Sequence, residues 1–98
     1  MSCGGLTDQK TADAEIQKIC DEIKTAAEGK AGKSFSRFEA KFYASQVVAG
    51  TNFFIKVHVG EDSYVHVRVF RSLPHAGSTL ELDSIQVDKS EADPITYF

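Results

Sequence analysis

The chain has 98 residues, 42% of them hydrophobic and 26% charged, which predicts one soluble, mainly monomeric domain over residues 1–98. Its net charge of −3 provides no basic surface for phosphates, so nucleic acid and membranes are not expected partners. No segment has the length and apolarity of a membrane span, and MSCGGLTDQK does not resemble a signal peptide, which favours a cytoplasmic location with the nucleus left open.

A single amphipathic helix is predicted near the N-terminus. Between residues 12 and 27 small or apolar residues recur every three or four positions, which is the period of one helix face. They are Ala12, Ile16, Ile19, Cys20, Ile23 and Ala27. Asp8, Thr11 and Asp13 are candidate N-caps, and Gly29 or Gly32 is expected to end the helix.

The period then changes from about 3.6 residues to two, which predicts strands with one buried face. In the first strand the residues expected in the core are Phe38, Ala40, Phe42 and Ala44. In the next two they are Phe53, Ile55, Val57 and Val59, and then Val65, Val67 and Val69. The residues between them, including Phe54, Lys56, His58, His66 and Arg68, are expected to face solvent.

The last strand is predicted over residues 80–87 and is less regular. Its apolar parity changes between Leu82 and Ile85, which indicates a bulge. The apolar tail, residues 94–98, is expected to dock on the domain. Together these elements predict an α+β fold in which one long N-terminal helix packs across an antiparallel sheet.

Neither catalysis nor metal binding is favoured by the sequence. Cys20 falls on the apolar helix stripe, where a thiol packs as a small hydrophobe, and Cys3 lies in a Gly-rich terminus without rigid support. Both are expected to be free thiols, and the chain is not expected to be an enzyme. His58 and His66 are expected to face each other across one hairpin, but two imidazoles alone do not make a zinc site, so no metal is predicted.

An apolar connection is the most unusual feature of the chain. SQVVAGTNF joins two predicted strands with two valines and no charge, and Leu73-Pro74 makes a second connection apolar as well. Antiparallel hairpins place these two connections at the same end of the sheet, with residues 60–62 at the other. Two adjacent apolar turns would form a narrow wedge suited to a groove on another protein, with Gly4-Gly5-Leu6 as a candidate third segment.

The residues of this wedge resemble a known family. Gln46-Val47-Val48-Ala49-Gly50 is similar to the QVVAG signature of the cystatins, and the whole chain, to Tyr97-Phe98, resembles the stefins, or type 1 cystatins. The chain combines features of two stefin subtypes. Cys3, Leu73-Pro74-His75 and Tyr97-Phe98 are closer to B-type stefins, whereas Gly4-Gly5-Leu6 and Gln86-Val87-Asp88-Lys89 are closer to the A type.

The resemblance implies reversible, tight inhibition of papain-like cysteine proteases such as cathepsins L, S, H and B, without a cofactor. It also implies a five-stranded antiparallel sheet, with the N-terminal segment as the extra strand. The protease-binding residues that it implies are Gly4, Gln46, Val47, Val48, Ala49, Gly50, Leu73, Pro74 and His75.

A non-inhibitory interaction protein on the same scaffold is the alternative. Valines are poorly suited to left-handed turn geometry, so opening the first connection into a domain-swapped dimer would relieve strain. A dimer linked through Cys3 is a further possibility under oxidation.

Overall fold

The computed structural model describes residues 5–98. A five-stranded antiparallel sheet in the order β1-β2-β3-β4-β5 carries one long helix, α1, as predicted. The elements are β1 (Lys10–Thr11), α1 (Ala14–Ala31), β2 (Glu39–Val48), β3 (Gly50–Gly60), β4 (Ser63–Arg71), a 3-10 turn (Pro74–Ala76) and β5 (Leu80–Lys89).

Helix α1 has well-defined caps at both ends. The Asp13 carboxylate accepts a hydrogen bond from the Ile16 backbone N–H at 3.1 Å, which satisfies one of the free donors of the first turn. Gly32 ends the helix in the left-handed region (φ 74°), and its N–H donates to the Glu28 carbonyl at 2.9 Å. Asp13 and Gly32 were among the predicted caps, and the helix ends at Ala31, directly before Gly32.

The core lies between α1 and one face of the sheet, called here the helix face. The helix contributes one buried stripe, and β3 and β4 contribute alternating residues, as their periodicity predicted. The core is extended by Phe35 and Phe38, whose rings stack with centroids 5.6 Å apart. Its central members are Ile16, Ile19, Cys20, Ile23, Ala27, Phe53, Ile55, Val57, Val65, Val67 and Val69.

The predicted parity of β2 is wrong beyond residue 40. The register of β2 against β3 shifts between Ala40 and Phe42, so the alternation of side chains reverses there. Tyr43 packs towards the core, with its ring 6.4 Å from that of Phe53. Phe42 and Ala44 pair with Lys56 and Phe54, and therefore lie on the opposite face.

That opposite face is not the solvated surface that alternation predicted. Phe54, Lys56 and His66 are all 2% exposed or less. The reason is the tail, which folds back over this face after β5 and places the rings of Tyr97 and Phe98 against Phe54. Docking of the tail was predicted. We call residues 90–98 the strap and the surface under it the strap face.

The irregularity predicted in β5 is also observed. The register against β4 shifts between Arg68 and Val69, whose partners are Ser84 and Leu82, so Asp83 is the extra residue. A second shift follows near the end of β5, where Asp88 has a positive φ of 59°. Strand β5 is therefore bulged twice along the outer edge of the sheet.

Candidate functional site

The two apolar connections lie at the same end of the sheet, as predicted. Thr51 at the start of β3 pairs with Arg71 at the end of β4, so the β2–β3 turn (residues 48–50) adjoins the β4–β5 loop (residues 72–79). The connection between Gly60 and Ser63 lies at the opposite end. We call residues 48–50 the first turn and residues 72–79 the second loop.

Gly50 makes the first turn possible. Val48 pairs directly with Gly50, leaving only Ala49 between the two strands, and Gly50 has a φ of 128° that side-chain-bearing residues rarely adopt. A Cβ on Gly50 would lie 2.5 Å from the Arg71 carbonyl oxygen and 2.7 Å from Phe70 Cζ. The turn therefore packs its backbone directly on the end of β4.

The first turn does not strain its valines. Val47 and Val48 are the last residues of β2, and the left-handed conformation of the turn is taken by Gly50. The premise that valine strain would favour strand exchange is therefore wrong for this chain. A glycine takes the unusual conformation, since it lacks the Cβ that would clash.

The five residues of the QVVAG motif divide into an exposed and a buried group. Val47 is 69% exposed and Ala49 is exposed, whereas Val48 is half-buried. Gln46 and Gly50 are buried. Gln46 accepts a 2.9 Å hydrogen bond through Oε1 from Asn52 Nδ2, directly across the hairpin. The buried members hold the turn, and the exposed members are available to a partner.

The second loop presents Leu73, Pro74 and His75 to solvent. Its conformation is closed at the base, where the Ser72 N–H donates to the Thr79 carbonyl at 3.0 Å and the Thr79 N–H donates to Ser72 Oγ at 2.8 Å. The Leu73 carbonyl accepts from the N–H groups of residues 76 and 78. Leu73, 38% exposed, is therefore carried by an internally bonded loop.

The N-terminal segment reaches the same end of the sheet. Thr7 is bonded twice to Ser45: its N–H donates to the Ser45 carbonyl at 2.9 Å, and its hydroxyl accepts from the Ser45 N–H at 3.0 Å. Because this pairing is antiparallel, Leu6 and Gly5 follow β2 towards the first turn. Gly4 and Cys3, for which a binding role and a free thiol were predicted, lie outside the described residues. Val47, the first turn, the second loop and residues 5–6 are together called the wedge.

Arg71 connects the wedge to the body of the domain. Its guanidinium forms a 3.0 Å ion pair with Glu15 at the start of α1 and lies 4.9 Å from the Phe53 ring centroid. Arg71, Asn52 and Phe70 were not predicted from the sequence as supports of the wedge. The hairpin register could have revealed Asn52, because a turn centred on Ala49 places it opposite Gln46.

The two histidines do not face each other as predicted. His58 pairs with Tyr64 and stacks on its ring at 4.7 Å, whereas His66 pairs with Lys56. Among residues 5–98, no three His, Cys, Asp or Glu side chains are placed to hold a metal ion.

Cys20 is fully buried in the core, as predicted. Burial, with a smaller contribution from nearby Asp21, raises the pKa of the Cys20 thiol to about 12, so the thiol stays protonated and unreactive at neutral pH. Residues 5–98 also contain no helix with the length and apolarity required to cross a membrane.

Comparison with known proteins agrees with this architecture. Residues 4–91 match the model of the cystatin domain. Over all 98 residues the chain is 54% identical to Cystatin-B of Paralichthys olivaceus, which it covers completely. It is 52% identical to Leukocyte cysteine proteinase inhibitor 1 and 51% identical to Cystatin-A1, both of Sus scrofa, each covered to 95%. Relatives of both the A and the B type are thus similar to nearly the same degree. The chain belongs to the cystatin family.

Proposed function

We propose that this protein is a reversible, tight-binding inhibitor of papain-like cysteine proteases such as cathepsins L, S, H and B. In this proposal the wedge and the preceding Gly4 enter the active-site cleft, with Val47, Val48, Ala49, Leu73, Pro74 and His75 as contact residues and Gln46 and Gly50 as their support. The observation that carries it is the exposure of two apolar turns side by side at one end of a rigid sheet. The resemblance to stefins and the inhibitor name of the pig relative support it.

Apolar burial alone does not account for tight binding. Complete burial of a Val or Leu side chain is worth roughly 1.5–3 kcal/mol, so Val47, Val48 and Leu73 would contribute ~5–9 kcal/mol at most. Because Val48 is already half-buried, the available gain is smaller. Association costs roughly 4–15 kcal/mol. We assign the rest of the binding free energy to backbone hydrogen bonds and to the low ordering cost of turns that are held in place before docking.

The hydrogen bonds under the wedge are the basis of this preorganisation. The bond between Gln46 and Asn52 fixes the first turn, and the bonds between Ser72 and Thr79 fix the second loop. Small residues at the tip, Ala49 and Gly50, let the backbone approach the walls of a cleft. Inhibition then needs no chemistry by the inhibitor, which acts by occlusion, as a single cytoplasmic domain and not as an enzyme.

The experiment that tests this proposal is titration of papain and one cathepsin with the protein and with Val47→Asp. Val47 is 69% exposed, so the variant should fold normally. We expect strong inhibition by the parent and at least a tenfold loss in the variant, about 1.4 kcal/mol. Val87→Asp is the matched control, since Val87 is also an exposed valine but lies near the far end of β5.

Two results would contradict the proposal. The first is a folded parent that inhibits neither enzyme. The second is an equal loss of inhibition in Val47→Asp and Val87→Asp, because the wedge would then have no special role.

A further inference from the structure

The strap doubles back over the sheet after β5. It begins with a turn in which the Asp93 carboxylate accepts hydrogen bonds from the Ser90 N–H at 2.7 Å and from the Ser90 hydroxyl at 3.2 Å. The Asp93 N–H donates in return to the Ser90 carbonyl. This turn directs the last residues back over β3 and β4.

Two buried or half-buried cations and one aromatic ring hold the strap. Lys56 Nζ donates to the backbone carbonyls of Glu91 and Asp93, the latter at 2.6 Å. Arg68 donates to the main-chain oxygen of Phe98 at 2.8 Å. The Phe54 ring lies 5.6 and 5.7 Å from the rings of Tyr97 and Phe98. The strap is therefore held by a few directional contacts and one small aromatic cluster.

His66 lies beneath this strap in an unusual environment. It is 1% exposed and pairs across the hairpin with Lys56, the residue that holds the strap. Within residues 5–98 its Nε2 atom has no hydrogen-bond partner. The charged groups near it are Lys56 from β3, Lys89 from β5 and Asp93 from the strap, with Glu91 close to Lys56. Two of these groups are cations and would repel an imidazolium.

We propose that the strap is an acid-released latch, in which protonation of His66 beneath it weakens the Lys56 contacts and frees residues 90–98 from the sheet. A proton on His66 would place a third positive charge beside Lys56 and Lys89 in a site shielded from water. Opening the strap admits water to the imidazolium and lets the Lys56 ammonium move away. The apolar surface uncovered is that of Phe54.

The pKa values of His66 and Asp93 agree with opening of the strap in acid. Burial, together with the charges of Lys56 and Lys89, lowers the pKa of His66 from 6.5 to about 4, against the opposing effect of Asp93. Since a solvated imidazole binds a proton more readily than the buried one, acid favours the open strap. The hydrogen bonds from Ser90 lower the pKa of Asp93, so its turn is lost only at still lower pH.

Local release predicts that the strap and the core respond differently to acid. We expect NMR contacts between the Phe54 ring and the rings of Tyr97 and Phe98 to disappear with a midpoint between pH 4 and 6.5, the two limits set by buried and free imidazole. Contacts within the core, such as those between the rings of Phe35 and Phe38 and between those of Tyr43 and Phe53, should persist through that midpoint. This readout does not depend on protease inhibition.

Three variants test whether protonation of His66 opens the strap. In His66→Gln, which cannot be protonated, the strap should stay closed to a pH at least about one unit lower. His58→Gln is the matched control, since His58 is a half-exposed histidine of the same hairpin, and should leave the midpoint unchanged. Lys56→Met keeps the length of the side chain but removes the donor, and should open the strap already at pH 7.

Three outcomes would overturn the latch. The first is loss of the strap contacts and the core contacts at the same pH, which would show that the strap does not open separately from the core. The second is an unchanged midpoint in His66→Gln. The third is persistence of the aromatic contacts after the His66 ring signals show protonation.

Discussion

The two faces of the sheet are buried by different means. The helix face is covered by α1 and holds apolar residues such as Ile55, Val57 and Val67, each 0% exposed. The strap face buries Phe54 but also the polar side chains of Lys56 and His66, and it continues to the Gln46–Asn52 bond beneath the wedge.

The helix face is stable under many conditions, whereas the strap face is sensitive to pH. Apolar burial is non-directional and hardly changes with pH, so the helix face supplies stability under many conditions. Polar burial depends on particular hydrogen bonds and on charge states. The strap face therefore carries the elements that can respond to acid and that fix the shape of the wedge.

Truncation of the helix face should have the largest effect. Ile55→Ala is expected to lower the free energy of unfolding by about 2–5 kcal/mol, because it removes a fully buried side chain and leaves a cavity. Urea denaturation at pH 7 measures this loss. Val87→Ala, at an exposed site in β5, is the control and should change stability little. A loss below about 1 kcal/mol in Ile55→Ala would show that the helix face is not the main source of stability.

Acid should have the second-largest effect, and it should act on the strap face. The pKa of His66 is about 4 in the fold and 6.5 when free, so unfolding takes up a proton between these values and stability falls as pH decreases from 6.5 to 4. The loss is at most about 3 kcal/mol, from the size of the pKa shift. Urea denaturation across this range measures it. His66→Gln should flatten the curve and His58→Gln should not, and equal slopes in the two would contradict the assignment.

The support beneath the first turn should contribute less. Asn52→Ala removes the buried hydrogen bond to Gln46 and is expected to cost about 1–2 kcal/mol of stability. It should also weaken protease inhibition more than this loss of folded protein explains, because the turn loses its preorganisation. Parallel urea denaturation and protease titration separate the two effects. Inhibition equal to that of the parent would show that the bond is not needed to shape the wedge.

The ion pair between Glu15 and Arg71 should have the smallest effect. Glu15 is largely exposed, with 62% of its side chain accessible, so Glu15→Gln is expected to change stability by about 0.2–1 kcal/mol. The difference should shrink in high salt, since an exposed pair is screened. Urea denaturation at low and high salt, with Glu22→Gln as an exposed control on the same helix, tests it. A larger loss that salt does not reduce would mean that Arg71 acts through more than this pair.

Much of the fold follows from the sequence because it depends on local periodicity. The 3.6-residue stripe of α1, the two-residue alternation of β3 and β4 and the parity change between Leu82 and Ile85 each predict the observed element. The wedge could also be predicted from the sequence, since Gln46-Val47-Val48-Ala49-Gly50 and Leu73-Pro74 are apolar where connections are usually polar. Consecutive antiparallel hairpins then place them together.

Contacts between segments distant in sequence could not be predicted from local patterns. The two-residue alternation predicted that Lys56 and His66 face solvent. The fold instead shows residues 90–98 returning over them. The bulge near residue 41 and the close packing of Gly50 on Arg71 likewise depend on neighbouring strands. A local pattern determines which face of an element a residue occupies. What covers that face depends on the path of the whole chain, and that path determines whether a buried polar group is tolerated.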